Sequence, residues 1–304
     1  MPRTPDVTLA NPRADRVKAV RALAGRPARS RHGQFLVEGP QGVREAVRYA
    51  AADVSDVYLT DAAAQRYPEI VADAAAARLH VHLGTREVLE AMSPDAQGVL
   101  AVLNATSATL EDALAARPAD RSGRPLLVAV LATVRDPGNA GTVIRAADAA
   151  GADLVVLAGE SVEVHNPKVV RSTAGSLFHL PVVSGLSLPD AVARLRAAGC
   201  QVLAADGAGD RDLDDLLDVA GRAEAGGDRS GAADARGDRS DVGQSPDLAG
   251  STAWVFGNEA WGLPEEDRAL ADAVVRVPIR GLAESLNLAT AATVCLYASS
   301  RAQR

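Results

Sequence analysis

The sequence predicts an α/β protein in which a mostly parallel sheet, covered by helices on both faces, follows a smaller α/β domain. Short apolar runs of strand length alternate with longer amphipathic or alanine-rich stretches along most of the chain. LLVAVLA at 126–132 is apolar throughout, the pattern of a strand buried on both faces in a parallel sheet. With 304 residues, 47% of them hydrophobic, the chain has enough material for two cores.

In chain order, FLVEG at 35–39 reads as a strand and 40–52 as an amphipathic helix. VSDVYLT at 54–60 precedes an alanine-rich helix to about Ala77; LHVHL, a helix near 85–92 and the strand GVLAVLN complete an α/β unit over 1–104. Residues 105–124, rich in Ser, Thr, Pro and Arg, read as a linker. Over 125–304 the strands expected after LLVAVLA are DLVVLA (153–158), PVVS (181–184), CQVLAAD (200–206), STAWVFG (251–257) and AVVRVPI (273–279). Between CQVLAAD and STAWVFG, Gly221–Asp247 has Val242 as its single large aliphatic residue and is expected to be a disordered surface insertion. Its doubled GDRS has no companion repeat.

Composition removes several function classes. Cys200 and Cys295 are the only cysteines and have no CxxC or Cys/His spacing, so neither a disulfide framework nor a metal site is expected. The amino terminus has no apolar leader core and no stretch reaches the roughly 20 apolar residues of a membrane span, which fits a soluble cytoplasmic protein. The net charge of −7 is unevenly spread: residues 210–247 sum to −6, whereas 1–34 sum to +6. A basic leading segment keeps a nucleic-acid partner open despite the acidic total.

Ligands of parallel sheets bind at the carboxyl ends of strands, which directs attention to three loops. In DPGNAGTVIR (136–145), Pro and Gly shape a turn, Asn139 projects from it and Arg145 lies on the following helix. In VFGNEAWGL (255–263), Gly257 permits close backbone approach to a ligand, with Asn258 and Glu259 beside it. In VPIRGLAESLN (277–287), Ser285 and Asn287 open an apolar helix, where they suit both capping and ligand binding. Taken singly, each loop is equally well an ordinary turn or cap.

In this order the three loops resemble the signature motifs of the SpoU (TrmH) family of S-adenosylmethionine-dependent RNA 2′-O-methyltransferases, with HNPKVVRSTAGSLFHLP (165–181) also similar to the family's intervening stretch. The resemblance spans about residues 126–301 and implies a catalytic domain with a trefoil knot, working as a homodimer. The segment before it is similar to the family's small RNA-binding domain. The resemblance implies catalytic positions at Arg145, Asn139, Glu259, Ser285 and Asn287, and S-adenosyl-L-methionine held by Gly257, Ile279 and Leu288. A guanidinium is a poor base, so Arg145 is read as a phosphate clamp, with Glu259 holding Asn139 or Arg145 in place.

Arg16, Lys18, Arg29, Arg171 and Arg301 are the expected RNA contacts, alongside Lys168. A separate basic leading domain favours 23S ribosomal RNA as substrate. A tRNA ribose methyltransferase, a resistance methyltransferase and a non-catalytic RNA-binding protein of the same fold remain the alternatives.

Overall fold

A computed structural model of the chain describes residues 9–121, 123–225 and 246–304. Its contacts divide it into two compact units: Met1–Ala108 with Pro137–Arg145 and Val162–Pro181, and Thr109–Asp136 with Ala146–Ser161 and Val182–Arg304.

The first unit is built on β1 (Gln34–Glu38), β2 (Val54–Leu59), β3 (Val81–Leu83) and β4 (Val99–Asn104), in the order β1-β4-β2-β3. β4 runs antiparallel to β1 and β2, while β2 and β3 are parallel. Its helices are α1 (Asp15–Ala22), α2 (Arg26–His32), α3 (Pro40–Tyr49), α4 (Asp61–Arg66), α5 (Pro68–Ala76) and α6 (Arg86–Met92). Because strand side chains alternate between faces, the sheet feeds two cores. Leu36, Tyr58, Leu100 and Val102 pack with Val17 and Val20 of α1 and Leu89 and Met92 of α6. Val37, Val57, Leu59, Ala101 and Leu103 pack with Val43 and Val47 of α3 and Ile70 of α5. The single alanine-rich helix expected here is two helices. Pro68 supplies no N–H and forces Tyr67 out of helical geometry, at φ −124° and ψ 60°.

The second unit is a seven-stranded sheet of β5 (Leu127–Ala132), β6 (Leu154–Ala158), β7 (Val182–Ser184), β8 (Gln201–Ala205), β9 (Arg211–Asp212), β10 (Thr252–Phe256) and β11 (Ala273–Arg276). The order is β7-β6-β5-β10-β8-β11-β9 and every neighbouring pair is parallel. The remaining helices in chain order are α7 (Leu110–Ala115), α8 (Pro137–Ala149), α9 (Pro167–Ser172), α10 (Leu188–Ala197), α11 (Leu213–Ala225), α12 (Glu265–Arg268) and α13 (Leu288–Ala302). One face of the sheet, with Val128, Val130, Val156, Val202 and Val255, buries Leu188, Val192 and Leu195 of α10. On the other face α13 packs on β10 and β5, and the Trp254 indole N–H donates to Ser299 Oγ at 2.9 Å.

Two expected boundaries shift. The stretch read as a linker contains α7, started by a Thr109–Asp112 capping box, and its Leu110 is buried in the second core. Gly221–Ala225, read as the start of an insertion, are the last residues of α11, whose Leu213, Leu216 and Ala220 are buried. Residues 226–245, the bulk of that expected insertion, lie outside the described residues. The two-residue edge strand β9 has no apolar run to announce it.

Candidate active site

The second and third loops leave the carboxyl ends of β10 and β11, strands that both border β8. After β10 the chain turns back on itself: Asn258 N–H donates to Gly262 O at 3.0 Å and Gly262 N–H returns to Asn258 O at 2.9 Å. Gly257 is what allows this, because a Cβ there would stand 2.4 Å from the Gly262 carbonyl atoms and 2.6 Å from Leu263 N. The close approach expected between Gly257 and a ligand is thus, in the fold, an approach to the protein's own backbone. Gly262 takes the left-handed conformation that closes the turn, at φ +68°.

Asn258 is buried and ties this turn to the end of β5, its Nδ2 donating to Thr133 O at 2.8 Å while its Oδ1 accepts from Ala260 N–H at 2.9 Å. The exposed Glu259 carboxylate accepts from the backbone N–H of Asp136 at 3.1 Å and of Arg135 at 3.4 Å. It therefore braces the segment that leads into α8.

After β11 the exposed stretch 279–287 leads to Asn287, which caps α13 by accepting from Ala289 N–H at 2.9 Å and Thr290 N–H at 3.3 Å. Its capping role is thereby explicit in the geometry. Between this stretch, the turn after β10 and the end of β8 lies a cavity of about 320 Å³. Gly257, Glu259, Ile279, Ser285 and Leu288, five of the residues singled out in the sequence, all line it. Asn139 and Arg145 lie on α8 in the first unit, Asn139 half-buried in the first turn and Arg145 exposed. Within the first unit Gly141 of that helix lets α8 meet α9, since a Cβ would lie 2.5 Å from Ser172 Cβ and 2.6 Å from Val169 O.

The lining suits a ligand that is part aromatic and part cationic. Phe256, Ile279, Leu286, Leu288 and Ala291 provide apolar surface, and Asp206, Glu259 and Glu284 bring three carboxylates. Asp206 is the residue sequence reasoning passed over. Its position at the carboxyl end of a strand, in CQVLAAD, was the available signal. The Asp206 carboxylate accepts from Ala208 N–H at 2.9 Å and Leu263 N–H at 3.4 Å, joining the β8 loop to the β10 turn. Among the described residues, no group of three His, Cys, Asp or Glu is placed to hold a metal ion, and no helix is long and apolar enough to cross a membrane.

The expected RNA contacts separate into different environments. Arg16 and Lys18 are exposed on α1, with Arg16 Nη1 3.0 Å from His82 Nε2 and Lys18 Nζ 3.0 Å from Asp15 Oδ1. Arg301 is exposed in the last turn of α13. Arg171 is half-buried and ion-paired with Glu38 and, at 2.8 Å, with Asp95. Arg29 is a correction: it is 5% exposed and structural. It grips Glu163 with two hydrogen bonds of 2.7 and 2.8 Å and donates to Leu23 O and Ala24 O, leaving no surface guanidinium for a phosphate. The same hydrogen bonds hold the Glu163 carboxyl below its ordinary pKa, against the opposing effect of burial.

Residues 126–297 match the model of the SpoU rRNA Methylase family, and residues 14–101 match that of the MRM3-like substrate binding domain. The chain is 32% identical over 98% of its length to a Streptomyces viridochromogenes protein, 94% of which is covered, named 23S rRNA (uridine(2479)-2′-O)-methyltransferase. It is 30% identical over 93% of its length to 94% of the Bacillus subtilis 23S rRNA (guanosine(2553)-2′-O)-methyltransferase RlmP. Among solved structures, an AdoMet-bound rRNA methyltransferase from Sinorhizobium meliloti superposes with a TM-score of 0.73 at 27% identity, covering 96% of this chain and 97% of that one.

Proposed function

Since the chain belongs to the SpoU rRNA methylase family and is an S-adenosylmethionine-dependent enzyme that methylates ribose 2′-hydroxyls of ribosomal RNA, we propose that its substrate is 23S rRNA and that the cofactor occupies the cavity between the ends of β8, β10 and β11 and the start of α13. The observation that carries the site assignment is the meeting of second-motif and third-motif residues, Gly257 and Glu259 with Ile279, Ser285 and Leu288, around one cavity.

When bound, the cofactor supplies a methyl group already activated by its sulfonium charge. What remains for the protein is to bind, orient and exclude water. Ile279, Leu286 and Leu288 would hold the adenine by apolar contact, backbone groups of the β10 turn would be available to its edge, and the carboxylates of Asp206, Glu259 and Glu284 would favour the cationic end. Ser285 orients the ribose, while Asn287 holds the first turn of α13 in place by its cap. Glu259 keeps Arg135 and Asp136, the residues just before α8, fixed. Asn139 and Arg145 of that helix act on the RNA. A guanidinium is a poor base, so Arg145 does not accept the hydroxyl proton; its planar fork clamps a phosphate of the substrate strand. The chain works as a homodimer. Val294 and Tyr297, exposed on α13 by 39% and 45%, support that reading as apolar surface for a second copy to cover.

The test is to incubate the protein with methyl-labelled S-adenosylmethionine and either protein-free 23S rRNA or tRNA, then hydrolyse the RNA in alkali. A 2′-O-methyl group blocks cleavage at its own phosphodiester, so label in an alkali-stable dinucleotide from 23S rRNA is the expected result. Label in mononucleotides means base methylation and overturns the ribose assignment, and label confined to tRNA overturns the substrate.

A further inference from the structure

Aromatic residues make up 3% of this chain and only two are tryptophans. Trp254 is fully buried, with its indole N–H bonded to Ser299. Trp261 is 53% exposed, at the tip of the turn after β10, between two residues, Ala260 and Gly262, that line the cavity. An indole half in water gains little of the burial energy that places Trp in cores. Its neighbour gives it a different chemistry. The Arg135 guanidinium carbon lies 5.5 Å from the ring centroid, over the indole face, and Arg135 makes no ion pair among the described residues.

Nor is this pair loosely held. Glu259 accepts from the Arg135 backbone N–H, Asn258 Nδ2 anchors the turn to Thr133 O at 2.8 Å, and the paired Asn258 and Gly262 backbones clamp the segment that carries Trp261. A fixed aromatic plane backed by a guanidinium that makes no ion pair among the described residues offers what a nucleotide needs. A base stacks on the ring whatever its identity, because every base has a π face, and the cation answers the adjoining phosphate.

We infer that Trp261, backed by Arg135, is the platform on which one nucleobase of the substrate RNA stacks beside the methylated ribose. This rests on the reading of the chain as an RNA methyltransferase. The charge of Arg135, which meets no ion-pair partner among the described residues, favours an anionic strand over a second copy of this acidic chain as the occupant. Asn258, Glu259 and Gly257 then serve a second purpose, keeping the platform at a fixed distance from the cofactor cavity.

The test compares wild type, Trp261→Ala, Trp261→Phe and Arg135→Ala as full chains. Affinity for a 23S rRNA transcript is measured by filter binding, affinity for S-adenosylmethionine by calorimetry and mass by light scattering. Expected are a loss of RNA affinity of about tenfold to a hundredfold for Trp261→Ala, a smaller loss for Arg135→Ala and retention within about threefold for Trp261→Phe, with cofactor affinity and mass unchanged. Quenching of Trp261 fluorescence by RNA, with the buried Trp254 silent, is the accompanying signature. The inference is overturned if Trp261→Ala binds RNA like wild type, or if it changes the mass, since the indole then covers a subunit interface. A wild-type protein that binds the cofactor but methylates no RNA overturns the underlying reading itself, and the platform with it.

Discussion

Replacing Gly257 by alanine places one methyl group where three backbone atoms already stand. The new Cβ would lie 2.4 Å from C and O of Gly262 and 2.6 Å from N of Leu263. No flexible side-chain end is available to swing aside. Gly257 is not among the residues with positive φ, so the cost is steric and not one of backbone conformation. To make room the turn must open, weakening the two Asn258–Gly262 backbone bonds of 2.9 and 3.0 Å. At about 0.5–1.5 kcal/mol for each bond and about 1–3 kcal/mol for overpacking, part of it relieved as the turn opens, the loss is about 2–4 kcal/mol. For a unit of this size that corresponds to a fall in Tm of about 5–15 °C. Thermal unfolding with parallel calorimetry should show both the lowered Tm and weakened cofactor binding, because the displaced turn lines the cavity. Gly281→Ala, with nothing within 4 Å of its added methyl, is the matched control and should melt like wild type. A Gly257→Ala protein that melts within about 2 °C of wild type and binds the cofactor normally would refute the reasoning.

Arg145→Ala should leave cofactor affinity unchanged and lower methyl transfer by about 10²–10⁴, measured under single turnover, and Arg145→Lys should recover little because a point charge does not replace a planar fork. Arg29→Ala, which removes four hydrogen bonds and leaves Glu163 with Arg26 at 3.8 Å, should lower stability by about 2–4 kcal/mol in urea titration. Because Arg29 lowers the folded pKa of Glu163, the carboxylate's contribution is complete above its ordinary value of 4.5 and is lost as pH falls through the lower folded value. Wild-type Tm should therefore drop more steeply on acidification below that pH than the Tm of Glu163→Gln. Neutralising the exposed Arg13, Arg21 and Arg31 together should flatten the salt dependence of RNA binding by about 0.7 log–log units per lost phosphate contact without affecting cofactor binding, read from titrations at several salt concentrations.

The strands were legible because their signal is local. Runs such as 126–132 and 153–158 are apolar in every position, as burial on both faces requires, and β5 and β6 lie within them. Pro68 was equally legible in principle, since a proline marks a helix break without reference to the rest of the fold. Arg29 was not. Nothing local separates it from Arg26 or Arg31, and only a carboxylate 134 residues away in sequence, Glu163, makes it a buried structural residue. The compact units pose a similar difficulty, because 137–145 and 162–181 join the first unit through contacts distant in sequence. In the candidate site, Gly257, Glu259 and Ser285 stood out because each lies in a loop at a strand's carboxyl end or before α13, while Ile279 and Leu288 were singled out only through the resemblance to the SpoU motifs. Asp206 lies in such a place too, but a lone acid after a strand carries no spacing pattern, and its role in joining two loops is a matter of tertiary geometry.

The cavity's assignment as the cofactor site is tested most directly by calorimetric titration of S-adenosylmethionine into wild type and Ala291→Phe. Ala291 is half-buried on α13 and lines the cavity, so a phenyl ring there fills part of its roughly 320 Å³ without crowding the packed core. If the cofactor binds in this cavity, wild type shows one site per chain, and Ala291→Phe weakens it by about tenfold or more, at least about 1.4 kcal/mol, while melting like wild type. Equal affinity in the two proteins, or no binding to wild type, would contradict the assignment.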